Sequence, residues 1–187
     1  MISAGDLRKG SKILYKSEPH VVIDFQWTKP GKGGAYIRTK MKNLITGLTI
    51  EGTFRSVEKL PVPDLSYREM QYLYAENGQY NFLDQDNYEQ VILNENQIEE
   101  VKKYLKDGIV YTILYFSDRP IAVNPPLFIE LKVADTQPGV RGDTAQGGAT
   151  KPATLETDLV VQVPLFINEE DIIKVDTRDG SYIERVS

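Results

Sequence analysis

The alternation of hydrophobic and polar residues along this 187-residue chain predicts short β-strands joined by turns. The clearest run alternates polar or aromatic positions with apolar ones: Tyr36, Arg38 and Lys40 against Ile37, Thr39 and Met41. A period of two is typical of a strand with one buried face, and short strands at close spacing favour a small barrel. Pro61 and Pro63 then mark a boundary, because proline disfavours continuation of a helix or a strand ladder.

The middle of the chain repeats the short-strand pattern and adds one helix. Asn77-Gly78 lies between two strand-like runs and is a hairpin signal. Asn94 is a suitable N-cap with Gln97 three residues later, and the apolar positions that follow share one helical face. This pattern predicts a main helix near 94–106. Strands with one inserted helix suggest an OB-like barrel.

Strands return in the last third and are interrupted by one long polar stretch. Residues 136–152 hold five Gly or Pro residues before the end of the stretch and show no period, which predicts a long loop. The predicted fold is therefore all-β, with three small β-barrel modules in series. They are an N-terminal basic barrel at 1–63, an OB-like barrel with one helix at 64–128, and an OB-like barrel at 129–187 that carries the 136–152 loop.

Charge is distributed unevenly over these modules. Residues 1–63 carry 11 basic and 5 acidic side chains, a net of +6. Residues 64–128 carry 5 and 11, a net of −6, and residues 129–187 carry 6 and 11, a net of −5. Basic patches attract phosphate, so the pattern predicts a polyanionic partner for the first module alone. Chance clustering that serves solubility is the alternative explanation.

Several classes of protein are disfavoured by what the sequence lacks. It has no apolar run of membrane-spanning length and no secretory signal at its start, and the absence of cysteine suits the cytosol. His20 is the only histidine, so the common zinc sites built from Cys and His are excluded. Neither a P-loop nor a Gly-X-Ser-X-Gly motif is present. We therefore predict a protein that is not an enzyme, with no catalytic residues, metal or cofactor and no membrane partner.

The most unusual stretch is Lys29-Pro30-Gly31-Lys32-Gly33-Gly34, which lies between two strand patterns. Its glycines allow positive φ and a tight reversal, and they flank one long cationic side chain. Such a hairpin would project the Lys32 ammonium away from the barrel, towards a phosphate or into a narrow RNA cavity. A hairpin loop with a merely solvated lysine explains the same residues.

This stretch resembles the tip of the bacterial elongation factor P family, and the resemblance covers the whole chain in order. Asp158 and Glu170 stand where the family usually has glycine. Aspartate tolerates a left-handed conformation, so we expect the turn at Asp158 to be kept, whereas a different local turn is expected at Glu170. The other matching motifs lie at 42–47, 71–74, 138–144, 151–157, 161–166 and 173–178.

The resemblance implies an L-shaped protein with the outline of tRNA. Such a protein would bind both ribosomal subunits beside peptidyl-tRNA and relieve stalling at consecutive prolines, as a cytoplasmic monomer. Lys32 would contact the tRNA, and the resemblance leaves open whether it does so unmodified or after the action of a modifying enzyme. The loop residues Gly142, Asp143 and Thr144 would lie on the mRNA side of the small subunit.

Two other functions fit parts of the sequence. A generic OB-type RNA-binding protein would explain the barrels but not the glycine-framed Lys32. An elongation-factor-P-like paralogue would share the architecture but carry a different tip. The two-module hypusine-bearing factor of eukaryotes and archaea is excluded by the length of the chain, because that factor lacks the third module.

Overall fold

The structure, a computed structural model, describes residues 1–29, 31, 33–139 and 149–187. The chain is mostly β, with barrel-like and half-barrel sheets that agree with the predicted three β-barrel modules in series. The strands are β1 Ile2–Ser3, β2 Lys12–Tyr15, β3 Glu18–Thr28, β4 Tyr36–Asn43, β5 Thr49–Arg55, β6 Lys59–Leu60, β7 Leu65–Glu76, β8 Gln79–Asp84, β9 Gln90–Asn94, β10 Val110–Phe116, β11 Arg119–Asn124, β12 Phe128–Thr136, β13 Thr150–Leu155, β14 Val160–Pro164, β15 Ile172–Asp176 and β16 Ser181–Arg185.

These residues form two compact units, Met1–Tyr67 with Leu114–Ala122, and Arg68–Ile113 with Val123–Ser187. The first unit contains a four-stranded antiparallel sheet of order β2-β3-β4-β5 and the short pair β1-β6. The alternation predicted for β4 is confirmed: Ile37, Thr39 and Met41 are buried, whereas Tyr36, Arg38 and Lys40 are exposed. The buried side chains of this core are Ala4, Leu7, Ile13, Val22, Ile37, Met41, Phe54 and Leu60.

A five-stranded sheet of order β11-β10-β7-β8-β9 follows. Asn77 and Gly78 have φ of 51° and 74°, so the β7–β8 connection is the tight two-residue turn that the Asn-Gly pair predicts. Tyr111 packs edge-on against two other aromatic rings of this module, with centroid distances of 6.3 Å to Tyr72 and 6.0 Å to Phe82. Burial raises the pKa of Tyr111 to about 12. Its hydroxyl is therefore neutral and donates to the carbonyl of Tyr104 at 2.7 Å.

The helix predicted near 94–106 begins where expected but is much shorter. Asn94 caps α1, Glu95–Ile98, through a reciprocal capping box with Gln97. After one turn the chain changes to a separate 3-10 turn at Lys102–Tyr104. The interruption has a tertiary cause. Tyr104 is only 3% exposed and packs into the core of the C-terminal sheet, a contact that local helix propensity does not encode.

The C-terminal sheet has the order β14-β13-β12-β15-β16. The sequence places a loop at 136–152, and this assignment is wrong at both ends. Thr136 is the last residue of β12 and pairs with Ala153, whereas Lys151 and Pro152 lie within β13 and pair with β14. The connection between the two strands is therefore 137–149. Pro152 lies within a paired strand, although proline disfavours a strand ladder.

Candidate functional site

The hairpin formed by β3 and β4 carries the predicted tip. Its ladder is continuous from His20↔Asn43 to Thr28↔Tyr36, apart from one bulge between Val22 and Asp24. A bulge bends a strand and increases its local twist. Residues 29, 31 and 33–35 are described beyond the ladder, whereas Pro30 and Lys32 lie outside the described residues. The tip segment therefore begins where backbone pairing ends.

The three tip glycines have different backbone requirements. Gly33 has φ of 129°, a value that L side chains rarely adopt. A Cβ placed on Gly31 or Gly34 would meet no other atom within 4 Å, and neither glycine has a left-handed φ. Within this segment, Gly33 is the described position where the backbone requires glycine.

The opposite end of the hairpin is shaped by Asn43. Its Oδ1 accepts hydrogen bonds from the backbone N–H of Ile45 at 2.8 Å and of Thr46 at 3.0 Å. Its Nδ2 donates to Glu18 at 2.5 Å, and Gly47 closes the turn with φ of 72°. The motif at 42–47 therefore builds the turn between β4 and β5, a structural role that fixes the register of the hairpin strands.

The outer face of this sheet carries its exposed basic residues beside paired acids. Arg38 donates to one carboxylate oxygen of Glu51, with its Nη2 at 2.6 Å. Lys9 lies 3.2 Å from Asp24 and lowers the pKa of that carboxyl by hydrogen bonding. Both pairs are largely exposed and contribute little to stability. In each pair the carboxylate neutralises the charge of its basic partner, so these pairs add nothing to the net positive charge of the module.

The second predicted contact, Gly142, Asp143 and Thr144, lies outside the described residues. The flanks of its loop are described and are held by side chains. Lys151 is only 6% exposed, and its Nζ donates to the carbonyl of Gln137 at 2.7 Å. The hydroxyl of Thr136 donates to the carbonyl of Pro152 at 3.0 Å. These two hydrogen bonds join the two flanks of the loop.

Gly139 adds a close backbone contact on the same flank. A Cβ placed there would lie 2.5 Å from the carbonyl oxygen of Leu165, a distance that real Cβ atoms essentially never show. The glycine is therefore required by packing rather than by a positive φ. The sequence pattern places both Gly139 and Lys151 in the predicted 136–152 loop. A usable signal was present, because Lys151, Ala153 and Leu155 alternate as buried positions of one strand.

The two positions without the expected glycine both keep a left-handed backbone. Asp158 has φ of 63°, so the turn is kept as predicted, and its N–H donates to the carbonyl of Leu155 at 2.9 Å. Glu170 has φ of 71°, and its N–H donates to the carbonyl of Val133 at 2.9 Å. The different local turn expected at Glu170 is therefore not found. The side chain of Glu170 forms an ion pair with Lys132.

Neither a metal nor a membrane segment is indicated by the described part of the chain. No group of three or more His, Asp or Glu side chains among the described residues could hold a metal ion. No helix within those residues is long and apolar enough to cross a membrane.

Comparison with known families matches all three modules of the chain. The Elongation factor P KOW-like domain matches residues 3–60, the Elongation factor P OB domain matches residues 65–123, and the Elongation factor P C-terminal domain matches residues 129–185.

Curated relatives match over their full length. Elongation factor P of Caldanaerobacter subterraneus subsp. tengcongensis is 51% identical over 186 residues, covering 100% of both chains. Elongation factor P of Clostridioides difficile is 50% identical over 186 residues, with the same coverage. Elongation factor P of Bdellovibrio bacteriovorus is 45% identical over 187 residues, which is 100% of this chain and 99% of that protein. These names describe a translation factor rather than an enzyme, as the sequence predicts.

One solved structure supports the fold alone. Eukaryotic translation initiation factor 5A from Methanococcus jannaschii aligns with a TM-score of 0.56 at 21% identity. The alignment covers 66% of this chain and 91% of that protein.

Proposed function

The chain belongs to the elongation factor P family, and on that premise we propose that it binds the ribosome beside peptidyl-tRNA and promotes peptide-bond formation between consecutive prolines. Its identity as a translation elongation factor follows from the family. The observation that carries the finer proposal is the β3–β4 hairpin. Its paired strands end at Thr28 and Tyr36, and in the sequence between them Lys32 is flanked by glycines.

The proposed contribution of Lys32 is positional. Proline fixes its own φ and restricts its neighbours, so a peptidyl-tRNA that ends in proline rarely adopts a reactive geometry. A cation near the 3′ end of the tRNA would hold it in place and lower the entropic part of the barrier. The factor transfers no proton in this scheme, and the ribosome supplies the chemistry.

The distribution of charge and the loop suggest the remaining contacts. The +6 module would face the tRNA, whose phosphates attract Lys and Arg. Gly142, Asp143 and Thr144 would contact the small subunit near the mRNA. Asp143 can accept hydrogen bonds from 2′-hydroxyl or base amino groups, although it would repel phosphate.

The organisation and setting belong to the same proposal. We place module boundaries at 1–63, 64–128 and 129–187, with support from the three separate family matches. We also propose that the factor acts as a monomer in the cytoplasm, on both ribosomal subunits. A modifying enzyme would act on Lys32.

The test is a reconstituted translation system that lacks any endogenous factor of this family. Adding the protein should raise the yield from a template that encodes Pro-Pro-Pro and leave a matched template with Ala-Ala-Ala unchanged. Affinity should be measured in parallel for ribosomes carrying peptidyl-tRNA and for free single-stranded RNA. Equal yields with and without the protein, or tighter binding to free RNA than to ribosomes, would favour the generic RNA-binding function instead.

A further inference from the structure

Trp27 is the single tryptophan of the chain and is 51% exposed. It is the next-to-last residue of β3 and pairs with Ile37 of β4, one position before the last pair of the hairpin ladder. Ile37 pairs in turn with Phe54, and both of these are buried in the module's core. Trp27 therefore extends a core row to the edge of the sheet, yet half of its surface stays open to solvent.

Gly5 lies beside the indole ring of Trp27. A Cβ placed on Gly5 would lie 3.7 Å from Cζ2 of Trp27 and 3.1 Å from the carbonyl oxygen of Ser56. The edge of the ring therefore lies close to Gly5, whereas the tight approach at this glycine is to the backbone carbonyl of Ser56. A tryptophan side chain has only two rotatable torsions, so it loses little conformational entropy when a ligand stacks on it.

Arg8 supplies a fixed positive charge at the same place. Its Nη1 donates to the carbonyl of Leu7 at 2.7 Å and reaches the carbonyl of Gly5 at 3.5 Å. Its guanidinium carbon lies 5.9 Å from the ring centre of Phe25, two residues before Trp27 on the same strand. Arg8 and Trp27 thus both lie beside Gly5, and we name these two side chains together the Trp27–Arg8 surface.

We propose that the Trp27–Arg8 surface binds an unstacked nucleotide of the single-stranded 3′ end of the tRNA, with its base on the indole and its phosphate at the guanidinium. Exposed aromatic rings bind the faces of bases in single-stranded RNA, and arginine is suited to bind phosphate. The net charge of +6 on the module favours a polyanion as the ligand of this surface. The surface lies at the base of the tip hairpin, and this position favours the same RNA end that the tip is proposed to contact. This inference rests on the proposed function and adds a contact separate from Lys32.

The first test uses the fluorescence of Trp27, which is free of interference from any other tryptophan. The wild-type protein is titrated with a short RNA hairpin that ends in single-stranded ACCA, and with the same hairpin made blunt-ended. We expect saturable quenching by the ACCA hairpin and much weaker quenching by the blunt one. Equal quenching by both, or none, would overturn the proposal. This result does not depend on whether the protein relieves stalling.

The second test measures binding of the labelled ACCA hairpin by anisotropy. Trp27→Leu should weaken binding about fivefold or more, and Trp27→Phe should restore most of it, because a single stacked base contributes roughly 1 kcal/mol or more. Arg8→Gln should weaken binding and flatten its dependence on salt. Tyr36→Leu is the matched control, since Tyr36 lies on the neighbouring strand of the same hairpin and is partly exposed. Unchanged affinity in Trp27→Leu, or an equal loss in Tyr36→Leu, would contradict the proposal.

The third test separates this contact from the proposed function. In the Pro-Pro-Pro assay, Trp27→Leu should raise the factor concentration needed for half-maximal relief without lowering the rate at saturation. An unchanged half-maximal concentration would overturn the inference while leaving the proposed function intact. If the wild-type protein gives no relief, the proposed function fails, and the two RNA-binding tests still decide the inference.

Discussion

The tip hairpin and the base of the 137–149 loop are held by different means. The hairpin ladder runs through backbone pairs as far as Thr28↔Tyr36. At the loop base, the buried Lys151 and the hydroxyl of Thr136 bond to backbone carbonyls across the gap, and Gly139 packs tightly against Leu165. Substitutions at the tip should therefore change activity without changing stability. Substitutions at the loop base should change both.

The largest expected effect is on activity at the tip. Lys32→Ala should abolish relief of polyproline stalling, whereas Lys29→Ala, a matched change at the exposed neighbouring lysine, should leave most of it. Both variants should keep the wild-type melting temperature, because substitutions beyond the paired strands usually alter stability by less than about 0.5 kcal/mol. Normal Pro-Pro-Pro synthesis with Lys32→Ala would remove the tip from the mechanism.

The next largest effect on activity is expected from a comparison of two tip glycines, Gly33 and Gly34. Gly33→Val should slow Pro-Pro bond formation by about tenfold to a hundredfold, since φ of 129° is hostile to a β-branched residue and the tip would be misdirected. Gly34→Val is the control, because a Cβ there meets open space. Single-turnover rates at saturating factor measure the difference. Equal rates for the two variants would show that the backbone at Gly33 is not required.

Stability should respond at the loop base. Lys151→Met keeps the length of the side chain but leaves the carbonyl of Gln137 without its donor, at a cost of about 1–3 kcal/mol. Lys59→Met, a change at an exposed lysine, should cost little. Urea denaturation followed by circular dichroism gives both values. If the two variants unfold at the same urea concentration, the hydrogen bond of Lys151 does not hold the loop base.

The smallest expected effect is a gain in stability. Glu170→Gly removes a side chain from a left-handed backbone and should stabilise the protein by up to about 1 kcal/mol, reduced by the extra chain entropy of glycine. The lost contact with Lys132 is exposed and offsets little of this gain. Glu169→Gly, one residue earlier, should instead destabilise. A thermal melt that shows the same shift for both would contradict the strain at Glu170.

Local signals were enough to predict most of the strands, the Asn77-Gly78 turn and the Asn94 cap. Features set by distant contacts were not predictable. The helix ends early because Tyr104 packs into another sheet, and Lys151 is buried by a bond to a residue 14 positions away. Glu170 keeps its positive φ because its N–H bonds to Val133, far along the chain. The glycines and the lysine of the tip identify the candidate site in the sequence. The side chains that hold the flanks of the 137–149 loop are seen only in the structure.

The most direct test of the central proposal is to locate the tip on a stalled ribosome. The chain has no cysteine, so Gly31→Cys provides one attachment site for an iron chelate while Lys32 is retained, and a Cβ at Gly31 meets open space. Hydroxyl radicals generated from this probe on ribosomes stalled at Pro-Pro should cut the 3′ end of the peptidyl-tRNA. The same probe on Ser187→Cys serves as the control and should leave that end intact. Cuts elsewhere with none at the tRNA 3′ end would contradict the account.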